Sequence, residues 1–328
     1  SKKVAGVTAD CFICNSKSSF NIARGAAVIA EGREFRLQFC KTCGLGRTEP
    51  FLDEIELVKM YSNVTYREDD AKRFPAVLEK VIAFLRKSRC RAVERFSGAG
   101  GLVKGRAILD VGCGRGDFLL FMAGRGWKTE GLELDSRAEG RGKKLGLSLK
   151  SGSLENIRYD SAVFDVVTFW HVFEHIRKPV ETLVECKKIL KPGGLLVVAV
   201  PNIGSLQAMV SGKNWFHFDP PYHLYHYSTR SLSLLLEKAG FEVKGVRHFS
   251  FEYNPYGWLQ SFYNIIGFKH NLLYDFLRSR AEKNAALYVN LLFMVVLMPV
   301  LAPLSIALSA LEAIFGMGGT IEIYAVKR

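Results

Sequence analysis

ILDVGCGRGDF, residues 108–118, is the stretch of this sequence that decides the fold. Its apolar first half ends in Asp110 and is typical of a buried parallel strand that turns sharply into a helix. Gly112, Gly114 and Gly116 follow at alternate positions, where glycine permits a positive φ and lets a ligand approach the backbone. The spacing G-x-G-x-G differs from the G-x-G-x-x-G of dinucleotide-binding loops. The stretch therefore predicts a ligand-binding turn between a strand and a helix.

Further strands follow this loop in the order expected of a doubly wound sheet. Gly131–Asp135 predicts a second strand, and Glu133 stands where such a sheet directs an acid at the ribose of a bound nucleoside. Phe164–Phe169 and Leu195–Val200 predict two more buried strands, and Thr320–Lys327 predicts the last one. The pattern as a whole predicts an α/β fold.

This combination of loop and strands resembles the class I S-adenosylmethionine-dependent methyltransferases (the type 11/23 group) over residues 106–249 plus the C-terminal strand. The resemblance implies a Rossmann-like seven-stranded sheet, with the last strand antiparallel beside Phe241–Phe249, and S-adenosylmethionine (SAM) as the cofactor. It implies that Glu133 holds the ribose and that Ser153 and Leu154 flank the adenine. The residues that it implies for the methionine part of SAM are Asp110, Gly112, Gly114 and Gly116.

Four cysteines near the N-terminus are paired as Cys11-x-x-Cys14 and Cys40-x-x-Cys43. Four thiolates at this spacing can close a tetrahedral site around Zn²⁺. The sequence between the pairs alternates enough to predict a hairpin, so we expect residues 1–50 to form a small zinc ribbon that depends on its metal for folding. A closed four-cysteine site has no open position, so we expect this zinc to be structural.

The chain therefore divides into four expected regions. They are a zinc-ribbon-like module at 1–50, a helical lead-in and cofactor lid at 51–105, the SAM-binding domain at 106–250 plus 318–328, and a hydrophobic helical insertion at 251–317. Within the lead-in, Tyr61 and Tyr66 are the candidates for a lid over the cofactor.

Candidate catalytic residues are histidines at the carboxyl edge of the predicted sheet, where open α/β sheets bind their ligands. His171 follows a predicted strand directly and is the first candidate for a base or a cofactor contact. His223 and His226 lie in a later segment rich in aromatic residues and are the second candidates. Glu174 and His175 follow His171, but the run lacks the H-E-x-x-H spacing of zinc hydrolases, so no metal is expected there.

An uncharged stretch runs from Asn284 to Leu311 and is as apolar as a membrane span. Pro299 and Pro303 lie near its middle and favour a break in a helix. Because the predicted last strand must return to the sheet, both ends of the stretch are expected on the same side of a membrane. A tight double crossing would satisfy this, but each arm is short for it, so we expect a helical hairpin that dips into one leaflet. A soluble helical cap or a dimer interface is the alternative.

The net charge of +13 favours an anionic partner. Seven cysteines without a visible secretory signal favour a reducing compartment, so we expect a cytoplasmic location. Together with the apolar insertion, the charge predicts peripheral or monotopic attachment to an anionic membrane surface on its inner face. The expected acceptor is a lipid, a lipid-linked sugar or another amphipathic small molecule. The basic residues placed to meet lipid headgroups are Lys269, Arg278, Arg280 and Lys283.

Two alternatives come from other functional classes. The zinc ribbon and the basic surface also suit an RNA methyltransferase, but the uncharged insertion has no use there and disfavours a nucleic-acid partner. A catalytically inactive membrane-bound scaffold is the other alternative, and the intact glycine-rich loop argues against it. The sequence leaves open whether the methyl group goes to oxygen, nitrogen or carbon, whether a base takes part, and which oligomer forms.

Overall fold

The structure is a computed structural model. It describes residues 10–17, 20–30, 33–51, 87–98, 105–277 and 281–328. The expected lid residues Tyr61 and Tyr66 lie outside the described residues, as do Arg278 and Arg280.

Eleven strands and nine helices are described. The strands are β1 (Phe20–Ala30), β2 (Arg33–Cys40), β3 (Gly46–Glu49), β4 (Ala107–Val111), β5 (Lys128–Glu133), β6 (Ser148–Ser151), β7 (Phe164–Trp170), β8 (Leu190–Pro201), β9 (Tyr225–His226), β10 (Phe241–Arg247) and β11 (Thr320–Lys327). The helices are α1 (described over 87–96), α2 (Asp117–Ala123), α3 (Ala138–Leu145), α4 (Pro179–Ile189), α5 (Leu206–Ser211), α6 (Thr229–Lys238), α7 (Asn254–Ile266), α8 (Leu272–Leu277) and α9 (Ala285–Ile314).

Seven strands form the main sheet in the order β10-β11-β8-β7-β4-β5-β6. Neighbours among β4 to β8 pair in parallel, whereas β11 runs antiparallel between β8 and β10. The α/β, Rossmann-like seven-stranded sheet expected from the sequence is therefore confirmed. Its central strands are covered on both faces, which is why residues 107–109 of β4 and 195–200 of β8 are apolar without alternation.

The N-terminal module forms a second sheet in the order β1-β2-β3-β9. The antiparallel pairing of β1 with β2 confirms the predicted hairpin. Because β9 belongs to the loop region after α5, this sheet joins the module to the catalytic domain. Gly46 pairs with His226, and a Cβ at Gly46 would lie 2.9 Å from the His226 Cβ, so a larger residue would separate the two strands.

The apolar insertion is one continuous helix, α9, with Pro299 and Pro303 inside it. The predicted hairpin is therefore wrong. The helix packs along α7, and the Tyr263 hydroxyl donates a hydrogen bond of 2.7 Å to the Met294 carbonyl, just before the first proline. These tertiary contacts hold the chain helical where the local preference of proline alone favours a break.

Candidate active site

The glycine-rich loop after β4 has the backbone that its sequence predicts. Gly112, Gly114 and Gly116 adopt φ values of +73°, +56° and +82°. The Gly112 N–H donates to the Leu132 carbonyl at 2.8 Å, which ties the loop to β5. A Cβ at Gly112 would lie 2.2 Å from a methyl group of Val172, whereas one at Gly114 would meet no atom within 4 Å. The loop therefore packs tightly at its first glycine and borders open space at its second.

Glu133 connects this loop to the end of β5. One carboxylate oxygen accepts a hydrogen bond from the Gly114 N–H and the other accepts one from the Leu134 N–H, both at 2.8 Å. A carboxylate offers about four acceptor sites, so both oxygens keep capacity for ligand hydroxyls. Glu133 is 7% exposed and lies beside the open space at Gly114. The loop and this acid fit a nucleoside cofactor such as SAM.

Asp110 is buried at the end of β4. Its carboxylate accepts a hydrogen bond of 2.6 Å from the Thr168 hydroxyl, which links β4 to β7. Burial raises the pKa of Asp110 to about 7, against the lowering effect of the Thr168 hydrogen bond. Its expected contact with the methionine part of SAM stays a prediction.

Ser153 and Leu154 follow β6 at the same edge of the sheet. The preceding Gly152 donates its N–H to the Glu133 carbonyl at 2.8 Å, so the expected adenine and ribose residues lie close together. The Ser153 carbonyl accepts two backbone N–H groups at 3.1 Å each, while Leu154 is buried in the main core. The structure thus brings the sequence-predicted cofactor residues to one edge; their roles stay predictions.

His171 lies directly after β7 in an unusual environment. It is a non-glycine residue with φ of 56°, and its ring contacts the Tyr253 ring at a centroid distance of 3.9 Å. Burial, with a smaller effect of the Arg89 charge, lowers the pKa of His171 to about 3. Its Nε2 is buried and has no hydrogen-bond partner in the described part of the chain. The ring is therefore neutral near pH 7 and offers an unsatisfied nitrogen to a ligand.

The Tyr253 ring that contacts His171 is itself held by a buried cation that sequence reasoning missed. The Arg89 guanidinium of α1 lies over the rings of Trp170 and Tyr253, at 4.9 and 5.2 Å from their centroids. The same guanidinium forms an ion pair of 2.6 Å with Glu252. Arg89 is far from His171 in sequence and no motif marks it, so only the fold reveals the contact.

The other two catalytic candidates already form hydrogen bonds within the protein. The Thr48 hydroxyl donates its one proton to the His223 carbonyl at 2.6 Å. The His226 Nε2, 3.0 Å from the same hydroxyl, is therefore the donor to its oxygen. The Nδ1 of His223 donates to the His217 carbonyl at 2.9 Å. Among the three candidates, this geometry favours His171 as the residue that meets the acceptor.

These residues belong to a larger group of buried and partly buried side chains, which we call the histidine cluster. Its members are His171, Glu174, His175, His217, His223 and His226. Burial lowers the pKa of all five histidines below the usual value. They are therefore neutral near pH 7, and neutral imidazole can accept a hydrogen bond, a proton or a metal ion.

The four N-terminal cysteines converge as their spacing predicts. The Sγ atoms of Cys11 and Cys43 are 3.6 Å apart, those of Cys14 and Cys40 are 3.5 Å apart, and all four lie within 4.8 Å of one another. Zinc–sulfur bonds of ~2.3 Å in a tetrahedron place the sulfur atoms ~3.8 Å apart. The tetrad therefore fits a zinc ion with little movement.

A protein-family model described as a methyltransferase domain matches residues 81–245, half of the chain. The chain belongs to this methyltransferase family. The match bears out the methyltransferase resemblance of the sequence. The match contains the glycine-rich loop, Glu133 and all members of the histidine cluster.

Curated relatives agree with this assignment. A probable SAM-dependent methyltransferase of Mycolicibacterium smegmatis is 31% identical over 150 residues, which are 44% of this chain and 56% of that protein. A ubiquinone biosynthesis O-methyltransferase of Roseobacter denitrificans is 30% identical over 175 residues, 47% of this chain and 66% of that protein. The chain thus spans between about half and two thirds of the length of these relatives.

Among solved structures, a possible histamine N-methyltransferase of Thermotoga maritima is similar over 77% of this chain and 96% of its own. The two share 21% sequence identity and superpose with a TM-score of 0.43.

Proposed function

We propose that this methyltransferase works while attached to the cytoplasmic face of a membrane, where it methylates a lipid, a lipid-linked sugar or another amphipathic small molecule. The observation that carries this proposal is the exposed apolar face of α9. Among the described residues α9 is the one helix long and apolar enough to cross a membrane, and 11% of its most apolar window is buried.

The exposed face of α9 consists of large aliphatic and aromatic side chains that are each more than half exposed. They are Tyr288, Val289, Leu292, Phe293, Val295, Val296 and Val300. Transferring such side chains out of water stabilises by about 1.5–3 kcal/mol each when burial is complete, so the face as a whole offers on the order of 10 kcal/mol. A contiguous exposed patch of seven large apolar side chains is typical of an interaction surface.

Contacts near both ends of α9 favour a helix that lies on the membrane surface over one that crosses it. Near the N-terminal end, Leu287 packs in a cluster with Tyr263 of α7. Near the other end, the buried Glu312 accepts hydrogen bonds from the Asn254 side chain at 3.0 Å and from the Trp258 indole at 3.1 Å. The helix is thus held along the domain, which fits insertion of its outer face into a single leaflet.

Charge supports the anionic membrane surface as the partner. The chain carries a net charge of +13, and Lys269 and Lys283 flank the segment that leads into α9. Basic residues near a membrane surface contribute about 1 kcal/mol each with anionic lipids.

For the reaction itself, bound SAM supplies an electrophilic methyl group on a sulfonium. The glycine-rich loop and Glu133 would hold the cofactor, and the Tyr253 ring covers one side of the His171 ring. We assign His171 Nε2 to accept a hydrogen bond from the acceptor's hydroxyl or amine, because this atom is buried and has no partner in the described residues. The ubiquinone biosynthesis O-methyltransferase among the relatives supports an oxygen acceptor as the first class to test.

We assign a structural Zn²⁺ to the cysteine tetrad. The metal would hold β2 and β3 in place, and β3 in turn pairs with β9 at His226. The Thr48 hydroxyl of β3 also accepts a hydrogen bond from His226 Nε2, so the ribbon supports the loop that carries two of the catalytic candidates.

Methyl transfer from SAM carrying a radiolabelled methyl group tests the acceptor class. The full chain is incubated with three acceptor pools: membrane lipid extract, water-soluble metabolites and total RNA. We expect label in the lipid pool. Label confined to the water-soluble pool would overturn the amphipathic acceptor, and label in RNA would favour the RNA methyltransferase alternative.

A further inference from the structure

Three side chains of the histidine cluster converge on one point. Glu174 and His175 lie in the turn after β7, and His223 comes from the loop that precedes β9. One ligand atom of each lies within 4.8 Å of the other two. They bring together one carboxylate and two imidazoles, a set that recurs in zinc and non-haem iron centres.

Hydrogen bonds to the backbone fix the tautomers of both imidazoles. The Nδ1 of His175 lies 2.7 Å from the Tyr222 carbonyl, and the Nδ1 of His223 lies 2.9 Å from the His217 carbonyl. A carbonyl only accepts, so both Nδ1 atoms carry the proton and both Nε2 atoms keep their lone pairs. Metal-binding histidines in proteins commonly show this arrangement, because the second nitrogen donates to a carbonyl or carboxylate.

Glu174 supplies the second, independent observation. Its side chain is 2% exposed, and its Oε2 is buried without a hydrogen-bond partner in the described residues. Its Oε1 lies 3.7 Å from His171 Nδ1 and 4.0 Å from His223 Nε2, and both distances exceed a hydrogen bond. Burial of a carboxylate without hydrogen bonds destabilises the folded protein. A cation bound between this carboxylate and the two Nε2 lone pairs would offset that destabilisation.

We propose that Glu174, His175 and His223 bind one divalent transition-metal ion, separate from the zinc of the cysteine tetrad. Two imidazole ligands favour Zn²⁺, Fe²⁺ or Co²⁺ over Mg²⁺ or Ca²⁺. Ligand atoms of a filled tetrahedral site lie ~3.3 Å apart, so the ligand atoms, now within 4.8 Å of one another, would approach each other by up to ~1.5 Å. His175 is partly exposed and leaves the ion a path from solvent.

This site differs from the sequence-based expectation that no metal lies after β7. The spacing of His171, Glu174 and His175 alone does not match a metal motif. The third ligand, His223, is distant in sequence, and the fold brings it to Glu174.

Cobalt titration of the full chain distinguishes the two sites, because a thiolate site and a nitrogen–oxygen site give different spectra. Protein whose cysteine tetrad is already filled with Zn²⁺ is titrated with Co²⁺ and followed by visible absorption and calorimetry. We expect one further equivalent to bind with d–d bands and without the intense thiolate charge-transfer bands. Absence of a further equivalent in the wild-type protein would overturn the proposal without any need for variants.

Glu174→Gln and His223→Gln each remove one ligand, and we expect each to weaken cobalt binding by ~100-fold or more. His217→Gln is the matched control, since it changes a buried histidine of the same cluster while its backbone carbonyl still accepts from His223. Circular dichroism checks that each variant is folded. Retention of the cobalt signal by folded Glu174→Gln and His223→Gln protein would also overturn the site. This binding test needs no knowledge of the methyl acceptor.

Discussion

Gly112 and Gly114 lie two positions apart in the same loop and serve different needs. Gly112 allows Val172 to pack against the loop, since a Cβ there would lie 2.2 Å from a Val172 methyl group. Gly114 borders open space beside Glu133, to which it donates its N–H. The absence of a side chain at Gly112 therefore permits close packing, and at Gly114 it leaves space for a ligand.

Alanine substitutions separate these two roles. Gly114→Ala should lower SAM affinity by ~10-fold or more, and it should cost only about 1–2 kcal/mol of unfolding free energy, because a positive φ strains an L-residue. Gly112→Ala should destabilise the protein by about 2–5 kcal/mol, because overpacking adds to the same strain. Calorimetry with SAM and urea unfolding measure the two effects.

Gly140 of α3 provides the matched control for both substitutions. A Cβ there meets no atom within 4 Å and its φ is not positive, so Gly140→Ala should be neutral or stabilising by up to ~1 kcal/mol. Wild-type SAM affinity in Gly114→Ala would show that the cofactor does not use the space beside that glycine.

Asp110 gives the protein a stability that depends on pH. Burial raises its pKa from 3.8 to about 7. Between these values the folded chain keeps a proton that the unfolded chain has lost, so stability falls as pH rises through the window, by up to ~4 kcal/mol. This loss is absent in Asp110→Asn. The free energy of unfolding of the variant should therefore rise relative to that of the wild type between pH 4 and pH 7. Urea unfolding of the SAM-free proteins measures the difference, and a difference independent of pH would contradict it.

The sequence predicts the residues whose spacing is itself the signal and misses those that act across the fold. The glycine-rich loop, Glu133 and the cysteine tetrad are local patterns, and the structure brings each group together as expected. Arg89 and Thr48 reach the histidine cluster from distant elements. Their side chains are ordinary in sequence, so their contacts could not be foreseen.

At the scale of elements, α9 is apolar on both of its faces, which distinguishes it from an amphipathic helix with one polar face. Its inner face packs on α7 and α8 through residues such as Met294, which is 1% exposed. Its outer face includes Val296, which is 66% exposed. The hairpin expected from Pro299 and Pro303 failed because packing along α7 outweighs the local preference of proline.

Truncating one residue on each face of α9 tests this assignment of faces. Met294→Ala should destabilise the protein by about 2–5 kcal/mol, because it leaves a cavity against α7. Val296→Ala should change the unfolding free energy by no more than about 0.5 kcal/mol. Urea unfolding without lipid gives both values. An equal loss in Val296→Ala would indicate that protein covers the outer face, as the dimer-interface alternative requires.

The zinc ribbon and β9 share one sheet, so removal of zinc should weaken the backbone hydrogen bonds of β9. The Thr48 N–H donates to the Leu224 carbonyl at 3.0 Å, and Gly46 pairs with His226. Chelation of the metal should increase hydrogen exchange across β2, β3 and β9 and leave β4 and β8 protected, because their pairing lies in the other sheet. Unchanged exchange in β3 after complete zinc removal would show that the ribbon does not depend on its metal.

At the scale of the whole molecule, α7 links the candidate active site to the exposed helix. The residue before α7, Tyr253, contacts the His171 ring, while the body of α7 packs against α9. One helix thus separates the catalytic edge from the proposed membrane surface. This proximity suits an acceptor that stays anchored in lipid while its reactive group enters the site, and it is the reason that we join the two features into one function.

Liposome co-sedimentation of the full chain tests this account most directly. We expect the wild-type protein to sediment with vesicles, and more with anionic than with neutral lipid. A Leu292→Ser/Val296→Ser/Val300→Ser variant should bind at least ~10-fold more weakly, because each substitution removes apolar area from the lipid contact. Val184→Ser is the control, because it removes a side chain of equal exposure on α4. Wild-type protein that remains in the supernatant with both lipids would contradict the membrane-attached methyltransferase.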